Sequence, residues 1–364
     1  MSLHIHNKPA QGSQHIEGID HLAEGWKRNK RAIGGDYTGS FKVTRLAMPQ
    51  LTELYHSWLG NQIIETSYGI DSWQGVIWEM DLIKNGIAYR RTLDPRYWHN
   101  RVKILFTNEN NEKKTDDWSE NTDSSDIYGE MEMIYSYGGM SAAGAAALQA
   151  KALAEFAWPK SRTAGGITVG RNKHTGSRDG LYVTCMGFWH TMNWQYYESD
   201  QDTTAASTAI SNMLSTAEFV TSGRIETNSL SINSEGSNIS QRLGDLIEDI
   251  ILQGGVEPVS IWKGGVYQRR LNYEQVPTTV DYVYRNGVLE TKTGGMVIPE
   301  LLEPGFYVYD MNAPSGIQPP GSSNVWDDPQ VGYCNEVEFE APNVLRLGFS
   351  NTRERIEVLM DQAV

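Results

Sequence analysis

Apolar positions in this chain alternate with polar ones in many short runs and fall at helical spacing in only a few. The first clear alternation lies in "GGDYTGSFKVTRL", where Phe41, Val43 and Arg45 share one side and Lys42, Thr44 and Leu46 the other, which predicts a strand. "MPQLTELYHSWLG" follows with Leu51, Leu54, Tyr55, Trp58 and Leu59 at helical spacing, Pro49 in the first turn and Gly60 as a stop; this predicts a short amphipathic helix. Next, "NQIIETSYG" and "QGVIWEMDLIKNGIAYRRTLD" read as strands. Asn85-Gly86 supplies the positive φ angles of a tight hairpin turn. "YWHNRVKILFTN" adds a strand, and the charged run "ENNEKKTDDWSENTDSS" reads as a boundary or loop.

A second block begins with "DIYGEMEMIYSYGG", where Met131, Met133 and Tyr135 alternate with Glu130, Glu132 and Ile134. It passes into an alanine-rich helix over 142–157, with Ser141 as N-cap and Trp158-Pro159 as terminator, placed flat on a sheet. "GLYVTCMGFWHTMNWQYYE", residues 180–198, predicts two strands meeting at a kink at Gly187. Its Cys185 and His190 are an odd number of residues apart and lack a second thiol or paired histidine nearby, so burial in a sheet outweighs a metal or catalytic reading. Two helices follow: one carries Ile210, Met213, Leu214 and Ala217, the other Leu243, Leu246, Ile247, Ile250 and Ile251 before Gly254-Gly255. The remainder is β-rich, with a second hairpin at Asn286-Gly287 and a proline- and glycine-rich loop, "MNAPSGIQPPGSSNVWDDPQ".

The expected fold class is therefore α+β, mainly β: β-sandwich or barrel domains, each with a packed helix, plus a β-rich C-terminal region. The expected divisions are a flexible N-terminal arm (1–30), a first β domain (31–115), a second α+β domain (116–200), a helical segment (201–254) and a β-rich C-terminal domain (255–364).

Charge narrows the choice of function. Against 31 Lys and Arg stand 45 Asp and Glu, a net −14 with a pI near 5.1 in 364 residues. That balance excludes a basic footprint on nucleic acid but suits a wall past which a polyanion slides. Cys185 and Cys334, the two cysteines, are too few for a disulfide framework or a four-cysteine zinc site. No run reaches the roughly 20 apolar residues of a membrane span, and "MSLHIHNKPAQGSQ" lacks the apolar core of a signal peptide, so cytoplasmic synthesis is expected. His4, His6, His15 and His21 match no ligand spacing and are read as part of the arm.

Candidate chemistry is sparse. No GxxxxGK[ST], H-E-x-x-H or G-x-S-x-G occurs, and "GGITVG" lacks the context of a dinucleotide fingerprint. Asp327 and Asp328 in "VWDDP" read as turn formers. Glu336, Glu338 and Glu340, opposite Val337 and Phe339, read as a solvated strand face rather than a cation site. No catalytic, cofactor-binding or metal residue is assigned, and no cofactor or enzymatic activity is expected.

"YGEMEMIYSYGGMSAAGAAALQAKALAEFAWP" followed by "GLYVTCMGFWHTMNWQYY" resembles bacteriophage tail proteins, in which a Tyr-Gly-acidic strand leads into an alanine-rich helix ended by proline. "GSFKVTRLAMPQLTELYHSWLGNQIIETSYGIDSWQGVIWEMDL" resembles their first block, and "GVYQRRLNYEQVPTTVDYVYRNGVLETKTGG", "LLEPGFYVYD" and "DDPQVGYCNEVEFEAPNVLRL" their C-terminal part. The resemblance implies a virion structural protein, tail-tube-like, forming a baseplate-hub or tube-initiating ring at the distal tail. It implies a homotrimer or homohexamer, tail proteins above and below as partners, and phage DNA passing through unbound. Two other readings compete. A receptor- or carbohydrate-binding tail-tip module would display exposed rings among Trp73, Trp78, Trp98, Trp118 or Trp326, and a wall-degrading enzyme would need a cleft with a raised-pKa carboxylate. A head-tail connector shares the same β-rich, ring-forming style.

Overall fold

The computed structural model describes residues 1–12, 14–164, 179–197, 201–228, 231–234, 241–253, 260–264, 270–275, 279–313, 330–341 and 344–350. The N-terminal part supplies β1 (Ser2–His6), β2 (His15–Gly18), β3 (Glu24–Arg31), β4 (Gly35–Val43), α1 (Met48–Ser57), β5 (Gln62–Ser67), β6 (Ile70–Lys84), β7 (Ile87–Thr92) and β8 (Arg101–Thr107). The middle supplies β9 (Lys113–Thr115), β10 (Ser119–Glu120), α2 (Thr122–Tyr128), β11 (Glu132–Tyr137), α3 (Ala142–Phe156), β12 (Arg162–Ala164) and β13 (Gly180–Gly187). Then come β14 (Gln201–Ala205), α4 (Ala206–Thr216), β15 (Thr221–Ile225), β16 (Ser231–Ser234), α5 (Leu243–Gln253), β17 (Ser260–Gly264) and β18 (Arg270–Gln275). The C-terminal part holds β19 (Val280–Arg285), β20 (Val288–Thr291), β21 (Phe306–Asp310), β22 (Val331–Glu340) and β23 (Val344–Ser350). The fold class is α+β and mainly β.

One 14-stranded sheet runs β2-β1-β5-β6-β13-β4-β3-β22-β21-β19-β20, with β7, β12 and β23 attached beside it. It ignores the expected divisions. β13, assigned to a second domain at 116–200, is inserted between β6 and β4 of the first (31–115), and the C-terminal strands continue that sheet through the β3–β22 pairing. The flexible arm over 1–30 is also corrected. Leu3 and Ile5 are buried beneath β1, Trp26 beneath β3, and β1 pairs along its length with β5. Burial of Leu3 and Ile5 contributes about 1.5–3 kcal/mol each and acts together with the β1–β5 ladder to hold the strand on the sheet.

Local signals hold where backbone chemistry is specific. Asn85 and Gly86 take φ of 53° and 76°, and Asn286 and Gly287 take 51° and 87°, so both hairpins turn as expected. In α1, Gln50 Oε1 accepts from the Ala47 N–H at 3.1 Å, and Leu51 and Tyr55 face inward. Ser141 Oγ accepts from the Gly144 N–H at 3.2 Å to start α3, which lies on β8 with Ala145 and Ala152 against Val102, Ile104 and Phe106. The charged run expected as a boundary instead forms part of this unit: β9 and β10 flank β8, and Asn121 caps α2 by accepting from the Ser124 N–H at 3.1 Å.

The aromatic stretch departs from the expected strand pair. β13 ends at Gly187 and Phe188–Trp194 forms a 3-10 helix. A Cβ on Gly187 would stand 1.5 Å from the Asp36 carbonyl oxygen, so only glycine admits this approach of backbones. The tight three-residue turn then buries Phe188, Trp189, Met192 and Trp194, which two-residue alternation would have split between faces. Cys185 is fully buried and burial raises its thiol pKa; His190 is pushed down to about 4 by burial and stays neutral. The stretch is core. α4 and α5 pack as expected, with Ile210, Met213, Leu214, Leu243, Ile247, Ile250 and Ile251 buried; Gly254-Gly255 lies outside the described residues.

Candidate assembly surface

β19, β20, β21, β22 and β23 form the C-terminal end of the large sheet. Alternation sorts their side chains. Val337 and Phe339 of β22 are buried, while Glu336, Glu338 and Glu340 meet Arg31, Arg346 and Lys27 across the strand pairs. The acidic stripe is thus a laced, partly solvated face, as expected. On β23, Arg346 joins that charged face and Leu345, Leu347 and Phe349 point the other way.

There they line a cleft of about 780 Å³ with Tyr284, Leu289 and Val308. Its apolar lining spills onto the surface: Met296 is 94 % exposed, Val288 54 % and Phe349 53 %, with Ile298, Met311 and Val344 also exposed. Met296 is bridged to Glu290 on β20, the last strand of the sheet among the described residues. Apolar side chains gathered at a sheet end mark a surface built to be covered. Asp310, Gln330 and the Tyr284 hydroxyl add polar groups to a lining that is otherwise mainly apolar, and Gln330 accepts from Tyr309 Oη at 2.8 Å.

A buried charge network ties this end to the rest of the sheet. Arg28 and Glu65, both fully buried, form an ion pair, and Trp26 Nε1 donates to Glu65 at 2.9 Å. Arg28 also donates to the Glu300 carbonyl at 2.5 Å, and Lys30 pairs with Glu303 and lies 3.8 Å from Asp36. Burial lifts Asp36 to about 7, against the pull of Lys30. The 300–303 segment that borders the cleft is thus fastened to β3 by two buried cations.

Among the described residues, the tryptophans named as a glycan platform are not displayed. Trp73 and Trp98 are fully buried, and Trp78 packs 5.5 Å from Trp194. Trp118 is half-buried beneath Arg101 and Lys103, whose cationic groups stand 5.1 and 5.3 Å from its ring. Trp326, Asp327, Asp328 and "GGITVG" lie outside the described residues. Of the four N-terminal histidines, His4, His6 and His15 come together while His21 stands apart in a turn. Burial raises Glu218 to about 7, but it is occupied by the Glu130 N–H at 2.9 Å. The cleft itself was not foreseen. The signal for it was present in "GGMVIPE", an apolar run directly after a glycine turn.

Among the described residues no helix is long and apolar enough to cross a membrane. No known family matches the sequence, and no curated protein does. Among solved structures, the chain is similar to the 43 kDa tail protein of prophage MuSo2 from Shewanella oneidensis, with a TM-score of 0.37 and 7 % identity over 96 % of this chain and 98 % of that one.

Proposed function

We propose that this chain is a structural protein of a bacteriophage tail that closes into a ring, a hub or tube initiator at the distal end through which DNA passes. One observation carries the reading: a 14-stranded sheet runs from β2 at one end to β20 at the other, and its β20 end is flanked by an exposed apolar cleft. A sheet with two unlike ends can join head to tail, and a head-to-tail contact of the right rotation closes on itself. The occupant of the cleft in this reading is the next copy of the chain. Two further features support it. The resemblance to tail proteins covers the first, middle and C-terminal parts of the sequence, and the net charge of −14 suits a channel that repels DNA. The motive for a glycan-binding tip weakens, because Trp73, Trp78 and Trp98 belong to the core.

Sedimentation velocity across a range of concentrations tests the proposal. A species of three or six chains supports it, and a chain that stays monomeric at every concentration while folded counts against it.

A further inference from the structure

Five ionisable side chains meet where the wall of the cleft crosses β3. Arg28 and Lys30 come from β3, Asp36 from β4, Glu65 from β5, and Glu303 from the segment that follows the Pro299–Leu301 3-10 turn. Arg28 pairs with Glu65, and Lys30 pairs with Glu303 and stands 3.8 Å from Asp36 Oδ1. Two cations thus face three carboxylates, and Arg28, Lys30, Glu65 and Asp36 are all buried. With every group ionised the cluster holds one uncompensated negative charge, which a low-dielectric interior disfavours. One proton makes it neutral.

The contacts decide which carboxylate takes that proton. Glu65 is held by Arg28, Trp26 and Ser67, and the Glu303 side chain is 40 % exposed and reaches water. Asp36 has neither outlet. Its Oδ2 accepts from the Gln74 N–H of β6 at 2.8 Å, while its buried Oδ1 has no hydrogen-bond partner. Lys30 and Arg28 favour its ionisation, Glu303 opposes it, and β13 meets it through Gly187, which carries no charge. Burial outweighs the two cations and holds the Asp36 carboxyl at about 7.

Glu300 and Glu303 belong to the segment that carries Val297 and Pro299, both on the cleft lining, and Arg28 donates to the Glu300 carbonyl. We infer that Asp36, Lys30 and Glu303 form a proton-operated clasp on this wall: protonated Asp36 leaves Lys30 committed to Glu303, whereas ionised Asp36 draws Lys30 away and the segment loosens. Release opens Asp36 to water and frees Lys30 to pair with it, so the released form binds the proton more weakly than the fastened one. Loosening therefore grows as pH rises toward 7, by at most about tenfold per pH unit for one proton, and levels off above 7. The clasp stands on this cluster and does not depend on ring closure.

Hydrogen exchange read by mass spectrometry on the full chain, with rates corrected for the intrinsic pH dependence of exchange, tests it. The Leu301 and Leu302 amides, bonded to the Ile298 and Pro299 carbonyls at 3.1 and 3.3 Å, report on the segment, and the β19–β20 hairpin serves as reference. Relative to the hairpin, protection of these amides should fall at least about fivefold between roughly pH 5.5 and pH 7.5. Asp36→Asn should keep the protection of the acidic side throughout. Glu303→Gln, a change at a part-exposed side chain, should show low protection at both pH values. Protection in the parent that tracks the hairpin across pH, or a pH dependence left unchanged in Asp36→Asn, overturns the clasp.

Discussion

Replacing Glu65 by glutamine should destabilise the protein more than any other single carboxylate neutralisation in the large sheet. Glu65 has no exposed surface and accepts from Trp26, Arg28 and Ser67, the last at 3.2 Å. Glutamine preserves the shape but leaves the Arg28 guanidinium buried without a counter-charge. Its Nη1 already lacks a partner, which leaves it no alternative acceptor there. Breaking such a pair costs about 3–5 kcal/mol, whereas replacing both members by apolar groups is often close to neutral. With an unfolding entropy of about 2.1 cal/mol/K per residue over 364 residues, this corresponds to a fall of about 4–7 °C in melting temperature. Calorimetry on Glu65→Gln, Arg28→Met and the double variant separates lost pairing from lost packing. The double variant should melt above Glu65→Gln. A Glu65→Gln protein within 1 °C of the parent, a difference of less than ~1 kcal/mol, or a double variant no better than Glu65→Gln, would show that Arg28 does not depend on Glu65 for its neutralisation.

Other expectations follow from single features. Asp36 has a folded pKa near 7, raised by burial, so the folded state holds a proton that the unfolded state releases near its ordinary value; this group costs stability progressively from about pH 4 to 7 and no further above. In Asp36→Asn, melting measured against pH should gain on the parent across that window and then run parallel. His190, held down near 4, acts in the opposite sense: its contribution is lost as pH falls from about 6.5 to 4, and His190→Phe should flatten the acid side. Gly187→Ala should cost about 3 kcal/mol or more through overlap with the Asp36 carbonyl, while Gly138→Ala, which meets nothing within 4 Å, should be neutral by the same denaturation assay. Met296→Ser with Phe349→Ser should weaken self-association at least tenfold, about 1.4 kcal/mol, without lowering the melting temperature, because both side chains are more than half exposed in the monomer.

What the sequence conveyed follows from how local each cause is. Asn85-Gly86, Asn286-Gly287, the α1 periodicity and the Ser141 cap depend on a few adjacent residues, and each forms where the pattern placed it. Phe188–Trp194 departs from the expected strand because alternation of Met192, Trp194 and Tyr196 is also compatible with a three-residue turn, and the choice is made by Asp36, some 150 residues earlier in the chain. β1 shows alternation too, in Leu3 and Ile5, but a five-residue strand with two histidines holds its place through β5, a partner that its own residues do not announce. The position of β13 between β4 and β6 and the passage of the sheet through β3 to β22 are long-range pairings outside the reach of periodicity. The cleft is hidden for the same reason. Leu345, Leu347 and Phe349 declare an apolar face, and only the order of the sheet leaves that face open.

Cysteine cross-linking tests the proposed head-to-tail closure. Ile16 of β2 and Val288 of β20 are 50 % and 54 % exposed at opposite ends of the sheet, and Cys185 and Cys334 are buried beyond easy oxidation. The double variant Ile16→Cys/Val288→Cys, oxidised mildly, should run on denaturing gels as a ladder ending at three or six chains, while each single variant should give at most dimers. An oligomer of unchanged native mass that yields no ladder would contradict edge-to-edge closure and move the contact elsewhere on the molecule.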